Sequence, residues 1–458
     1  MVEASTVEAD RAGSGQAPQP ADPRPATALG RRRPRLHHVD AMRPVKQAGV
    51  VTTHSLLFFA PATTVAVGAG LLVTHVTRFA FMFISAAMLV YAYPELRRAA
   101  LPTFWRRRLL AVALPYVTWT LVYFVMESLP ISGIPAAFRP SGGITGSVPV
   151  SLAHLGQLLV RGYYQLYYLV LLLELYLAYP AFLWLLRATR RHHGLLVGAS
   201  VALQLVLVGL VHWGLVPGWL QGYWATRELW NYQLYLVGGG VMAWHYEAVH
   251  AWLVRRWRLV LGATAVTLAL AEAWYAAAST PSFAWLAGDG AADPFQPVLI
   301  PLFMAVIAAL YLLGVAMARP GLSARMRGWV SSGADNSYGV YLSQVLFITA
   351  LAALGWGRLD TSVPWPVVAG GAVVIVYGAA VALTALLARL PGARATAGRA
   401  RLPRRSRLAT PAGSDVAWTP NPASPSISGD TLAALCADLD PGIGGGTDPR
   451  RAVDGNRA

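Results

Sequence analysis

Apolar residues in this chain are gathered into long unbroken runs, with polar positions collected between them. Residues 195–213, 259–278 and 367–388 each approach the ~20 residues a helix needs to cross a bilayer. Ten such spans can be placed, near 43–60, 67–92, 107–127, 163–187, 195–213, 229–247, 259–278, 297–317, 335–356 and 366–388. No 20–50-residue repeat underlies them. The pattern predicts an all-α fold: a polytopic membrane bundle of about ten transmembrane helices. Residues 1–40 and 391–458 carry no apolar run and are rich in Ala, Pro, Gly and Arg. Such composition buries too little apolar surface to offset chain entropy, so both read as disordered tails flanking a membrane domain at 41–390. The first tail lacks the apolar core of a signal peptide.

Composition agrees. Of 458 residues, 55% are hydrophobic and 13% charged, against about a quarter charged in soluble proteins, which excludes a soluble multidomain enzyme. The formal charge of +16 comes from Arg, with Lys46 the single lysine. Basic residues cluster in alternate connections: 32 fall on the side of the two tails, and four (Arg139, Arg161, Arg227, Arg358) on the other. That asymmetry is topological. It places both termini in the cytoplasm and removes nucleic acid as a partner. The Arg bias suggests a GC-rich bacterial genome, and hence a multi-pass protein of the plasma membrane. Trp105, Trp213, Trp230, Trp257 and Trp365 mark span ends, as interfacial anchors do. The one cysteine, Cys436, sits in a tail, so no disulfide, cysteine metal site or intramembrane thiol nucleophile is expected. No metal centre, phosphate-binding Gly-rich loop or Gly-x-Ser-x-Gly elbow is present.

Ionisable groups in hydrocarbon are costly and need a partner, a wet cavity or a function. The candidates are His54, His75, Arg78, Glu174 and Glu272, with the amides of Gln165, Gln204, Gln233 and Gln344. Arg43 and His54 are eleven residues apart, which on a helix returns them to one face about 16 Å apart. Arg43 then lies at the surface, where a guanidinium can hold phosphates, and His54 lies deeper as a proton acceptor. This suits a long phosphorylated donor entering from the cytoplasm. The spacing equally suits an Arg placed by topology and a His bonded within the bundle. Arg78, too deep to snorkel, is expected to meet Glu174, as a structural pair or as a pair lining a site.

Five segments, in order, carry a resemblance. They are Arg43 with His54; Arg78-Phe-Ala-Phe-Met-Phe-Ile-Ser85; Phe104-Trp-Arg-Arg-Arg followed by Pro115-Tyr116; Tyr163-Tyr-Gln-Leu-Tyr-Tyr168 followed by Pro180; and Ser337-Tyr-Gly-Val-Tyr-Leu342. Over residues 42–390 the chain resembles the acyltransferase-3 family of integral-membrane O-acyltransferases. Two positions depart from the family pattern: Gln165 and Gln344 stand where many members have His, and neither can titrate. Ala86 and Ala87 likewise replace a usual Gly after Ser85.

The resemblance implies transfer of an acyl group, commonly acetyl, from acyl-CoA to a hydroxyl of a carbohydrate or glycoconjugate, with no bound cofactor. In that scheme His54 is the base and Arg78 stabilises the oxyanion or orients the acceptor. Arg43 and Lys46 hold CoA phosphates, and Ser85, Gln165, Tyr168, Glu174 and Gln344 line the substrate site. An acyl-His intermediate is a variant of the same scheme. The competing readings are a transporter or exporter, for which Gly238–Gly240 is a candidate helix break, and a scaffold or sensor.

Overall fold

The computed structural model describes residues 35–61, 64–129, 148–217, 227–287, 290–319 and 321–398. The expected tails up to 34 and from 399 lie outside these residues, as do Arg139 and Cys436. The chain divides into two units at Arg404/Arg405, and everything described here belongs to the first.

The described residues form helices and no strands. Ten long helices follow the order of the expected spans: α1 His37–Phe59, α2 Val65–Ala92, α3 Leu101–Glu127, α5 Tyr167–Ala188, α6 His193–His212, α7 Gln233–Trp244, α9 Trp257–Ala278, α10 Leu299–Met317, α11 Ala324–Ala353 and α12 Trp365–Leu387. Between them lie two helices outside the expected order, α4 Val148–Arg161 and α8 Tyr246–Arg255, and α13 Ala393–Thr396 follows α12. Among the described residues, seven helices are long and apolar enough to cross a membrane. The other three expected spans fall on α1, α7 and α11. Helix α7 has 12 residues, whereas α1 and α11 carry polar side chains along their length. That polarity includes Asp40, Arg43, Lys46, Gln47 and His54 on α1 and Arg325, Arg327, Asp335, Asn336 and Gln344 on α11.

Several boundaries differ from expectation for packing reasons. Helix α1 begins at His37 because Val39, Ala41 and Met42 are buried, in part against α10. Pro44 therefore sits inside the helix, not in its first turn. The chain stays folded past residue 390: the indole Nε1 of Trp119 donates to the Thr396 carbonyl at 2.9 Å, and Ala393 and Ala397 are buried. The long connection at 128–162 contains α4, held against α3 where the Tyr116 hydroxyl donates to the carbonyls of Leu158 and Leu159.

Helices α2 and α7 make the central contact. A Cβ on Gly239 would come within 2.1 Å of the Phe83 carbonyl oxygen, so only glycine permits this approach, as small residues do between membrane helices. Gly238–Gly240 thus lies within continuous α7 and is a packing surface, not a helix break. The polar amides sort similarly. Ser200 Oγ donates to Gln233 Oε1, Gln233 Nε2 to the Ser200 carbonyl, and Gln204 Nε2 to the Asn231 carbonyl. Those amides satisfy one another between α6 and α7, whereas Gln165 and Gln344 lie elsewhere.

The termini that bear arginines gather at one end of the bundle. Arg187 donates to the Pro94 carbonyl at 2.7 Å, Arg108 to the Tyr93 hydroxyl, and Tyr246 pairs with His38. These contacts join the ends of α2 and α5 to the starts of α3 and, through α8, α1. We call this the basic end.

Candidate active site

The site is assembled from α1, α2, α11 and the turn entering α5. In that turn Gly162 has φ 80°, and a Cβ there would lie 2.4 Å from the backbone of Tyr167; no other residue fits. The chain then passes through Tyr164, a non-glycine residue at φ 31°. Such backbone costs roughly 1–3 kcal/mol and tends to occur where surrounding structure over-determines it. Here the constraint is visible. The Tyr341 hydroxyl donates to the Gln165 carbonyl, Gln165 Nε2 reaches the Leu342 carbonyl at 3.5 Å, and the Tyr123 hydroxyl donates to the same oxygen at 2.6 Å. Helix α11 thereby pins the turn, and the turn sets the Tyr164 ring 5.0 Å from the His54 imidazole.

A cavity of about 210 Å³ opens on these groups, lined by His54, His75, Arg78, Tyr164, Gln165, Tyr167, Tyr168, Arg227 and Tyr341. Polar atoms around it are left without hydrogen-bond partners: Nδ1 of His54 and of His75, Oε1 of Gln165 and the Tyr168 hydroxyl. The Gln344 amide lies within side-chain hydrogen-bonding reach of His54. Buried polar atoms are nearly always satisfied in folded proteins, and a cluster of exceptions calls for an explanation. A polar substrate in the cavity supplies one. The tyrosine rings offer stacking faces, and the guanidinium and imidazole groups offer donors and a proton acceptor.

Of the residues selected from sequence, His54, Arg78, Gln165 and Tyr168 line this cavity, and Gln344 touches His54. His54 stands near the C-terminal end of α1, not at its middle. Arg43 is at the basic end, its side chain 43% exposed and paired with Asp40 at 3.1 Å. Lys46 does not join it there. Its side chain is buried, with Nζ 3.1 Å from the centre of the Phe81 ring, because α1 turns this position inward against α2. In this structure Lys46 therefore faces α2 and not the surface at which a phosphate-binding role was expected of it. Ser85 is half-buried on α2, one turn beyond Phe81 toward the basic end, and outside the cavity lining. Glu174 does not pair with Arg78, and no ion pair joins them. Helix α5 meets Arg78 through its first turn, at Tyr164 and Tyr167. Glu174 is two turns further on, about 10 Å along the axis, beside Glu228 and Leu229. Tyr164 and Arg227 line the cavity and were not selected from sequence. Gly162 followed by two tyrosines was the available signal for the first. No metal-binding cluster of His, Cys, Asp or Glu exists among the described residues.

No curated protein and no solved structure matches the chain. A family model does: residues 37–384 match the acyltransferase-3 model, an acyltransferase domain. The match runs from the first residue of α1 to the last turn of α12 and so takes in every helix that builds the cavity. The chain belongs to the acyltransferase-3 family and is an integral-membrane acyltransferase.

Proposed function

We propose that this enzyme transfers an acyl group, acetyl in the simplest case, from acyl-CoA to a hydroxyl of a carbohydrate or related acceptor held in the His54 cavity. The observation that carries the proposal is the placement of an imidazole and a guanidinium on one polar cavity whose buried polar atoms lack partners. One ring nitrogen of His54 takes the proton of the acceptor hydroxyl as its oxygen attacks the thioester carbonyl. A C–O bond forms, and negative charge collects on the carbonyl oxygen beside Arg78. Collapse breaks the C–S bond, and the CoA thiolate recovers the proton from the imidazolium.

The donor enters from the basic end. Arg43, about 16 Å from His54 along α1, offers its guanidinium to a CoA phosphate in exchange for Asp40. The basic end faces the cytoplasm of a bacterial cell, as the charge asymmetry indicates. Reporter fusions after Ala99, His193 and Ser323 then read inside, and fusions after Ser151, Trp285 and Asp360 read outside. An inside signal from the Trp285 fusion would invert or break this topology.

The direct test is turnover by the purified full chain in lipid nanodiscs. Release of CoA thiol from acetyl-CoA is followed with and without a panel of glycosides, and product mass is read in parallel. The proposal expects acceptor-dependent thiol release that His54→Ala abolishes. Transfer by His54→Ala at the wild-type rate removes His54 as the base.

A further inference from the structure

A second cavity, of about 290 Å³, lies between α1, α2, α7, α8 and α10 at the basic end. It is distinct from the His54 cavity: the two share no lining residue, and although their linings come within two residues of each other on α2, at Phe81 and Phe83, on α1 its nearest residue, Met42, is about 18 Å from His54 along the helix. Its walls are almost wholly apolar, including Ile84, Met88, Met242, Met304 and Ala308. These five are only partly buried, so the space communicates with the exterior of the bundle. At roughly 30 Å³ for a water- or methylene-sized group it has room for on the order of ten carbons.

The polarity around this cavity is graded. At its rim four rings cluster. The Tyr246 hydroxyl and His38 Nε2 are 3.2 Å apart, and His250 Nδ1 and the Tyr311 hydroxyl 2.7 Å apart. The His38 ring lies 5.1–6.1 Å from the other three. Beyond the rim is α8, which turns Val249 and Leu253 toward the cavity and leaves Trp252, Arg255 and Arg256 exposed. A short amphipathic helix with an exposed Trp and adjacent arginines is suited to the headgroup layer.

We propose that this cavity binds one acyl chain of an anionic glycerophospholipid, with the ester region on the His38, Tyr246, His250 and Tyr311 cluster and the phosphate on Arg255 and Arg256. Helix α8 brings together the chemistries of such a lipid: an apolar cavity wall, a hydroxyl and imidazole cluster, and an exposed guanidinium pair at its C-terminal end. A donor's acyl chain inserted from the rim would leave its thioester beside His38, sixteen residues from His54 on α1 and so about 24 Å along the helix. The site requires only that the chain be embedded in a bilayer, and it does not depend on the direction or chemistry of acyl transfer.

The test uses the full chain, delipidated in detergent and then offered dioleoyl-phosphatidylglycerol, dioleoyl-phosphatidylcholine, dihexanoyl-phosphatidylglycerol or oleoyl-CoA. Native mass spectrometry and thermal shift report binding. Expected is one retained dioleoyl-phosphatidylglycerol per chain, preferred over phosphatidylcholine by roughly tenfold or more, with the short-chain lipid binding far more weakly. Ala308→Phe, which fills the cavity, should remove that adduct. Arg255→Gln with Arg256→Gln should erase the headgroup preference and keep chain binding. Val241→Phe provides a second way of filling the space should Ala308→Phe fold poorly. Equal retention of both dioleoyl lipids by wild type and by the filled variants would reduce the effect to general solvation by lipid and overturn the proposal. Tight oleoyl-CoA binding that the filled variants lose would overturn the lipid as occupant. Neither readout uses turnover, so failure here and failure of the acyl-transfer reading are separately visible.

Discussion

Two cavities share α1 and α2 in this enzyme, and they solve opposite problems. The one around His54 is the smaller, about 210 Å³ against 290 Å³, and keeps buried nitrogens and oxygens unpaired. The one at the basic end is walled by methionine and aliphatic side chains, and the polar groups at its rim are bonded to one another. An apolar cavity in a membrane costs little to keep, because a lipid chain can fill it. A polar one carries unpaired groups that cost about 1–3 kcal/mol each, and a fold retains such groups where a substrate completes them. Two features show the investment around His54: the positive φ of Tyr164, and the two hydrogen bonds through Gln165 that tie the α5 turn to α11, beside a third from Tyr123 of α3 to the same stretch of α11. Nothing comparable constrains the apolar cavity.

The sharpest way to break this contrast is His54→Ala. Loss of a general base lowers rate by ~10²–10⁴, while membrane insertion and yield should stay near wild type, since an apolar side chain in α1 eases burial. The measurement is acceptor-dependent thiol release, normalised to folded protein by size exclusion. Ala308→Phe in the other cavity should leave this rate within about twofold, its side chain lying far from the reacting atoms.

Arg78→Gln comes next. Removing a donor to a developing oxyanion costs ~10²–10³ in turnover, and Arg78→Lys should recover little of it, because an ammonium lacks the planar fork of donors. The signature is a lower kcat with the KM for acyl-CoA nearly unchanged. A rise in that KM with kcat intact would make Arg78 a donor-binding group and leave the oxyanion to another residue.

A smaller effect separates the two basic side chains at the start of α1. Arg43→Ala should raise the KM for acyl-CoA by roughly 10–100-fold, the worth of a charged hydrogen bond of about 1.5–3 kcal/mol, and slow saturated turnover much less. Lys46→Met should not raise that KM, because Nζ faces the Phe81 ring and not the surface. Equal effects of the two substitutions would mean that α1 rotates when the donor binds.

The legibility of the site divides along the same line. Arg43 and His54 could be read because one helix carries both and periodicity fixes their separation. Arg78 and Gln165 could be read because charged and amide residues in apolar runs are few, and Tyr168 because it closes the Tyr163–Tyr168 segment that carries the resemblance. The resemblance implies a shared phosphate role for Arg43 and Lys46, whereas which side of α1 meets α2 is set by packing, and it buries Lys46 one turn from the half-exposed Arg43. Tyr164 escaped notice because its importance lies in a backbone angle that the sequence signals only through Gly162. The helices α4 and α8 were hidden for a related reason. Each is short and amphipathic, and a search for ~20-residue apolar runs passes over such elements or joins them to a neighbour.

Glu174 tests the smallest expected effect and the misreading with the clearest physical cause. Depth along each span suggested that Glu174 would meet Arg78, but depth is not shared when one helix presents its first turn to the site and the other its middle. Glu174→Gln should therefore change stability by no more than about 0.5 kcal/mol and leave turnover unaltered, since the side chain lies beside Glu228 and outside the cavity lining. Combined with Arg78→Gln it should neither rescue nor worsen the single defect. The two changes should add within about 0.3–0.5 kcal/mol, as independent sites do. If they paired, each single substitution would strand a buried charge at roughly 3–5 kcal/mol and the double would recover much of that loss. Thermal unfolding of the four proteins in one detergent distinguishes these outcomes. Recovery in the double variant would show that Arg78 and Glu174 meet in some state of the enzyme, and would return Glu174 to the site.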